Sequence, residues 1–148
     1  MAKREYSFYP GCSSQKGASS SNYMTSVQTM CEELDIQLNE IPDYEKKVQC
    51  CGGALAFSEP EKSQEMVKGI LESAYDHGAD KIVTPCPVCQ MNVEVYQDDI
   101  NATYGTKFNM PVVYYSTLMS VAYGRSARNA ALEAQIIPAK KLDKIARK

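Results

Sequence analysis

A single histidine, His77, leaves the chain without the partners of a Ser–His–Asp hydrolase. It stands in Asp76-His77-Gly78 at the end of a predicted helix, where a cation suits the helix dipole and a structural role is expected. There is no GxGxxG and no P-loop, so nucleotide binding has no support. The ferredoxin run C-x2-C-x2-C-x3-C is also missing, which argues against descent from cubane ferredoxins. No apolar run approaches the ~20 residues of a bilayer-spanning helix. The opening MAKREYSFYPGC is charged at once, with no signal-peptide core. The expected compartment is therefore a reducing cytoplasm, where clustered cysteines are more often metal ligands or catalytic thiols than disulfides.

What is present suits one ordinary domain. The 148 residues are 44% hydrophobic and 23% charged, enough to bury a core without disulfide staples. The net charge of −2 hides an asymmetry. Residues 1–124 carry 9 Lys/Arg against 16 Asp/Glu, whereas residues 125–148 carry 7 against 2. An acidic body makes a nucleic-acid partner unexpected, and the basic tail reads as a solvated helix or arm.

Strand and helix patterns alternate. Tyr6–Tyr9 reads as a strand stopped by Pro10-Gly11, and Ser13–Ser21 as a Ser/Gly-rich loop. Tyr23, Val27, Met30, Cys31 and Leu34 form the apolar stripe of a helix, and Ile36–Ile41 a weak strand ended by Pro42. A second helix follows Ser58 and Glu61, which have capping-box spacing, and stops at Gly78. Lys81–Thr84 is a strand, and Pro85–Cys89 turns into a helix running to about Tyr104. Pro111–Tyr115 is a strand, followed by a helix to Tyr123. The predicted fold class is α/β: a mostly parallel sheet flanked by helices, one domain with a helical C-terminal tail. Residues 1–124 would form the cysteine-rich domain and 125–148 the basic tail.

Five of six cysteines cluster in the pattern C-x37-C-C-G-x33-C-x2-C: Cys12, Cys50, Cys51, Cys86 and Cys89. They exceed the four ligands of a tetrahedral zinc ion, and a polynuclear iron–sulfur centre takes them more naturally. Cys12 and Cys86 each follow a predicted strand, so both belong on the carboxyl-end rim of the sheet, where the Cys50-Cys51 loop can join them. Cys86 and Cys89 bracket a helix N-terminus, which favours thiolates. Gly11, Gly52 and Gly53 remove Cβ atoms next to the thiols. Adjacent Cys50 and Cys51 point apart in extended backbone, so two irons suit them better than one ion.

These motifs resemble the cysteine-rich CCG domain of the heterodisulfide reductase B-subunit family. FYPGC at 8–12, CCGG at 50–53, GADKIVTPCPVCQMN at 78–92 and MPVVYYSTLM at 110–119 carry the resemblance. It implies a non-cubane [4Fe-4S] cluster held by Cys12, Cys50, Cys51, Cys86 and Cys89, in an oxidoreductase subunit that passes electrons to or from a disulfide or thiol substrate. It also implies partners that are flavin or iron–sulfur proteins, in a cytoplasmic or membrane-associated complex. Two other readings stand beside it: a structural zinc or docking module on four of the cysteines, and a thiol–disulfide oxidoreductase using Cys86-Pro87-Val88-Cys89.

The remaining candidates have plainer readings. Cys31 belongs to the helix stripe and is expected in the core. Of Tyr114 and Tyr115, alternation sends one inward and one outward, either able to flank a cluster. Asp98 and Asp99 are expected to face solvent.

Overall fold

Among the described residues, four strands of two or three residues each make the sheet, cut short by the prolines, glycines and helix starts that follow them. The computed structural model of the chain describes residues 6–11, 20–35, 38–39 and 49–147. The strands are β1 (Tyr6–Phe8), β2 (Leu38–Asn39), β3 (Ile82–Thr84) and β4 (Val112–Tyr114), in the order β2-β1-β3-β4. All pairs are parallel, with Ser7 opposite Ile82 and Val83 opposite Val113. The helices are α1 (Ser20–Glu33), α2 (Pro60–Asp76), α3 (Pro87–Val95), α4 (Gln97–Tyr104), α5 (Tyr115–Ala122) and α6 (Lys140–Ala146), with short 3₁₀ turns at Gly53–Leu55 and Leu132–Ala134. This is the expected α/β class. The predicted loop at Ser13–Ser21 lies mostly outside the described residues, with α1 already begun at Ser20.

Strand alternation divides the core between two layers. Tyr6, Phe8, Val83 and Val113 pack on one face with Val27, Met30 and Cys31 of α1 and Leu118 and Val121 of α5. Ile82 and Val112 face the other side, against Val67 and Leu71 of α2, Val93 of α3 and Ile100 of α4. The chain leaves β1 toward β2 on one side and later returns to β3 on the other. Between β1 and β3 the following loops therefore diverge at the carboxyl ends, the crevice where open α/β sheets bind ligands.

Two local expectations fail for tertiary reasons. The single helix expected from the Cys-Pro-Val-Cys turn to Tyr104 breaks at Tyr96. Gln97 Nε2 donates to the Val93 carbonyl at 3.1 Å, and the same side chain grips both backbone groups of Met110, donating to its carbonyl at 2.7 Å and accepting its N–H at 2.8 Å. The capping box at Ser58–Glu61 does not form. Glu59, not Ser58, precedes α2, and its N–H bonds back to the Leu55 carbonyl at 2.8 Å, so the chain enters α2 directly from the 3₁₀ turn. The stop at Gly78 does form: Gly78 N–H reaches Tyr75 and Ala79 N–H reaches Ala74, a Schellman closure.

Residues after 124 are not a detached arm. Ala127, Ala130, Leu132, Ala139 and Leu142 are buried in the α1/α5 layer. Two of its basic side chains are paired internally, Lys141 with Asp80 at 3.0 Å and Arg147 with Asp143 at 2.8 Å. Buried Glu94 of α3 anchors the same segment. Its carboxylate accepts N–H groups from Val112 at 3.1 Å and Ile136 at 3.4 Å and the Gln90 amide at 3.0 Å.

Burial raises the Glu94 pKa above 4.5, outweighing the backbone N–H groups that lower it. A carboxyl raised in the folded state ionises first in the unfolded chain. Stability is therefore greatest below about pH 4.5 as far as Glu94 is concerned, and falls as pH rises through the higher folded value. Glu94→Gln, neutral throughout, should lose hydrogen bonds at every pH but lack this fall. Thermal melts at pH 4 and pH 7 should show the variant gaining on the parent at the higher pH; a constant gap would contradict the assignment.

Candidate metal centre

β1 is held to β3 up to its last turn, with Tyr9 N–H donating to the Val83 carbonyl at 2.8 Å. The chain then passes over the Cys-Pro-Val-Cys turn at Gly11, whose φ is +77°. A Cβ there would lie 3.1 Å from Cys89 Sγ and 3.3 Å from Cys86 Cβ. Glycine is required both for the left-handed backbone and for the close approach. The next residue, Cys12, lies outside the described residues.

On the neighbouring strand, Thr84 Oγ1 accepts the Cys86 N–H at 3.3 Å and sets the turn out of β3. Cys86 is the extended N-cap of α3, and its sulfur accepts the Cys89 N–H at 3.4 Å. Pro87 occupies the first turn, where its missing N–H costs nothing. Cys89, one turn in, is buried beneath them.

The Cys-Cys-Gly-Gly loop is fastened at each end. Tyr9 Oη donates to the Gln49 carbonyl at 2.6 Å, and Asn92 Nδ2 donates to the Cys51 carbonyl at 2.6 Å. Cys51 Sγ meets Cys89 Sγ at 3.5 Å across 38 residues of sequence. Gly53 lies where any Cβ would stand 2.4 Å from Val88 Cγ1 and 3.6 Å from Cys51 Sγ. Adjacent Cys50 and Cys51 differ in burial: Cys51 is buried against Cys89, while half-buried Cys50 accepts the Gly52 N–H at 3.4 Å. The structure thus joins Cys51, Cys89 and Cys86 in one chain of contacts and leaves Cys50 beside it. Among the described residues, no three Cys, His, Asp or Glu side chains close around a single ion.

The thiols are electrostatically unequal. Cys51 is pulled down to about 6, first by its hydrogen bond with Cys89 and then, against the cost of burial, by the Gly53 N–H and the Asn92 amide. Cys89 is pushed up by the same shared hydrogen bond, by burial and by Cys86. For Cys89 this reverses the expectation that the helix N-terminus would favour its thiolate; contact with a second, more favoured thiolate outweighs the dipole.

Cys31 sits on the opposite face of the sheet, where burial and then the Glu32 charge push it up to about 12, consistent with a core residue. Tyr114, at the end of β4, has its hydroxyl pKa raised by burial first and then by its neighbour Cys86. Tyr115 packs in the α1/α5 layer. His77 holds the Ser73 carbonyl at 2.6 Å, and Asp98 and Asp99 are exposed.

Sequence reasoning passed over Asn92 and Ser63. Asn92 is 1% exposed and bridges Cys51 to Ser63 Oγ, 3.3 Å away. The available signal was its spacing: C-x2-C-x2-N places an amide on the same helix face as Cys89, where an apolar residue would otherwise be expected.

Residues 6–94 match the family model of a cysteine-rich domain, CCG. Over 140 residues the chain is 34% identical to the 8-methylmenaquinol:fumarate reductase membrane anchor subunit of Wolinella succinogenes, covering 91% of this chain and 48% of that protein. It is 33% identical over 93 residues to the B subunit of the ferredoxin:CoB-CoM heterodisulfide reductase of Methanosarcina mazei, covering 62% and 31%. A protein of Archaeoglobus profundus, named as like the heterodisulfide reductase B subunit, is 32% identical over 100 residues, covering 66% and 32%. The chain spans about half or less of the length of these relatives, all named as reductase subunits or likened to one.

Proposed function

We propose, since the chain belongs to the CCG cysteine-rich domain family, that it is an iron–sulfur redox subunit of a larger reductase assembly, with Cys12, Cys50, Cys51, Cys86 and Cys89 holding a non-cubane [4Fe-4S] cluster. The observation that carries this reading is the meeting of Cys51 and Cys89, sulfurs 3.5 Å apart from two separate loops, beneath a glycine whose neighbour is Cys12. A dithiol enzyme needs only the Cys86–Cys89 pair and would leave that convergence without a purpose. The donor set fits the group: thiols from two described loops, one of them already biased to thiolate, and a glycine backbone so close that a Cβ on Gly11 would stand 3.1 Å from the Cys89 sulfur.

Bound there, the cluster would store electrons and offer an iron to a substrate sulfur. The chain's own contribution is positional. α3 presents its N-terminal N–H groups and Cys86 to the site, and the Cys-Cys-Gly-Gly loop supplies Cys50 and Cys51. The proposed substrate is a disulfide or thiol, and the electron partner a flavin or iron–sulfur protein; support comes from the names of the Methanosarcina and Archaeoglobus relatives. Residues 1–124 would be the cysteine-rich domain and 125–148 its helical extension.

Among the described residues no helix is long and apolar enough to cross a membrane. We place the chain in a cytoplasmic, membrane-associated assembly, supported by the Wolinella relative's name as a membrane anchor subunit.

The test is metal and sulfide analysis with an absorption spectrum on anaerobically purified protein. About four irons and a broad visible absorption per chain are expected. One zinc with no visible band, or no iron after anaerobic reconstitution, would overturn the proposal in favour of a structural zinc module.

A further inference from the structure

Asn92 stands where three elements of the site meet. It lies on the buried face of α3 one turn beyond Cys89, and its amide donates to the Cys51 carbonyl at 2.6 Å and to Ser63 Oγ of α2 at 3.3 Å. The loop it holds is pressed onto Ser63, since a Cβ on Gly52 would lie 3.1 Å from Ser63 Cα. Asn92 and Ser63 are each 1% exposed, so water cannot replace either partner from outside.

We infer that Asn92 is a positioning residue: it locks the Cys50-Cys51 turn onto the Cys86–Cys89 helix and so fixes where the Cys51 sulfur stands against Cys89. The lock exists whether or not metal is bound; its effect on a cluster rests on the iron–sulfur reading. One amide on α3 that holds the Cys51 carbonyl and Ser63 of α2 together fixes the place of the loop, so removing it should loosen a proposed ligand and speed the loss of iron about tenfold or more.

Three variants separate the lock from ordinary burial. Asn92→Ala removes the donor, Asn92→Leu keeps the volume without any donor, and Gln97→Ala removes a buried amide of similar type that grips Met110, away from the thiols. Hydrogen exchange of the Cys51–Gly53 amides is followed first on metal-free, reduced protein. Both Asn92 variants should exchange there about tenfold faster than the parent, the loss of one buried hydrogen bond, and Gln97→Ala should not. If one Asn92 variant fails to fold, the other decides. Equal rates in the Asn92 and Gln97 variants would overturn the lock. On iron-loaded protein, loss of the visible absorption to an added chelator should be about tenfold or more faster for the Asn92 variants and unchanged for Gln97→Ala. An unchanged rate in the Asn92 variants overturns the effect on the proposed ligands. A parent that takes up no iron refutes the iron–sulfur reading instead, and the exchange result still judges Asn92.

Discussion

Replacing Cys51 with serine is expected to abolish iron retention, from about four irons per chain to near none after desalting, while Cys31→Ser keeps the full load. A hydroxyl stays protonated at neutral pH and is a harder donor than a thiolate, so it cannot hold iron beside sulfide. Cys51 is the buried thiol whose proton is most readily lost, and it alone joins the Cys-Cys-Gly-Gly loop to Cys89 by direct sulfur contact among the described residues. Its loss therefore removes a proposed ligand together with the sulfur contact between the two loops.

Cys31 is the matched control. It is 1% exposed on the other face of the sheet and has the opposite electrostatic bias, its thiol held protonated to about 12. Serine there should cost about 1–3 kcal/mol of stability, because a hydroxyl enters an apolar layer. It should cost no iron. Iron analysis alongside a denaturant melt distinguishes the two losses. Full iron in a folded Cys51→Ser protein would remove Cys51 from the ligand set.

Why the cysteine motif stands out in the sequence while its surroundings do not is a matter of range. The strand ends are legible because Pro10-Gly11 and Pro85-Cys86-Pro87 punctuate short apolar runs, and parallel connection then sends both loops to one rim. The position of Asn92 is not legible in that way. Its role depends on a carbonyl 41 residues earlier, and a lone amide on a helix face has no pattern of its own. The break at Tyr96 is hidden for the same reason, since it depends on Gln97 finding Met110 thirteen residues on. Residues 125–147 misled through composition: Ala127, Ala130 and Ala139 contribute little to an apolar pattern, yet small side chains are what allow that segment to close over α5 and α1. Its lysines and arginines looked free because Asp80, the partner of Lys141, lies far back in the chain, before β3.

Gly11→Ala should destabilise the fold and disturb the thiols together, whereas Gly105→Ala should do neither to the same degree. Both glycines have left-handed backbone, φ +77° and +66°, so alanine at either costs about 1–2 kcal/mol of conformational strain. Around Gly105, which ends α4, a new Cβ meets nothing within 4 Å. Around Gly11 it meets Cys89 Sγ at 3.1 Å and Cys86 Cβ at 3.3 Å, and neither can withdraw freely. Cys89 is backed by Cys51 at 3.5 Å, and Cys86 is fixed as the cap of α3, its sulfur already engaged by the Cys89 N–H. Overpacking of that kind adds roughly 1–3 kcal/mol. For a chain of this size the total is a fall in melting temperature of about 5–15 °C for Gly11→Ala against a few degrees for Gly105→Ala. Since the displaced atoms are the proposed ligands, iron content should fall in the first variant and hold in the second. Equal melting temperatures and equal iron in the two variants would mean that β1's last turn does not press on the Cys86–Cys89 pair, and the convergence of the loops would have to be sought elsewhere along the rim.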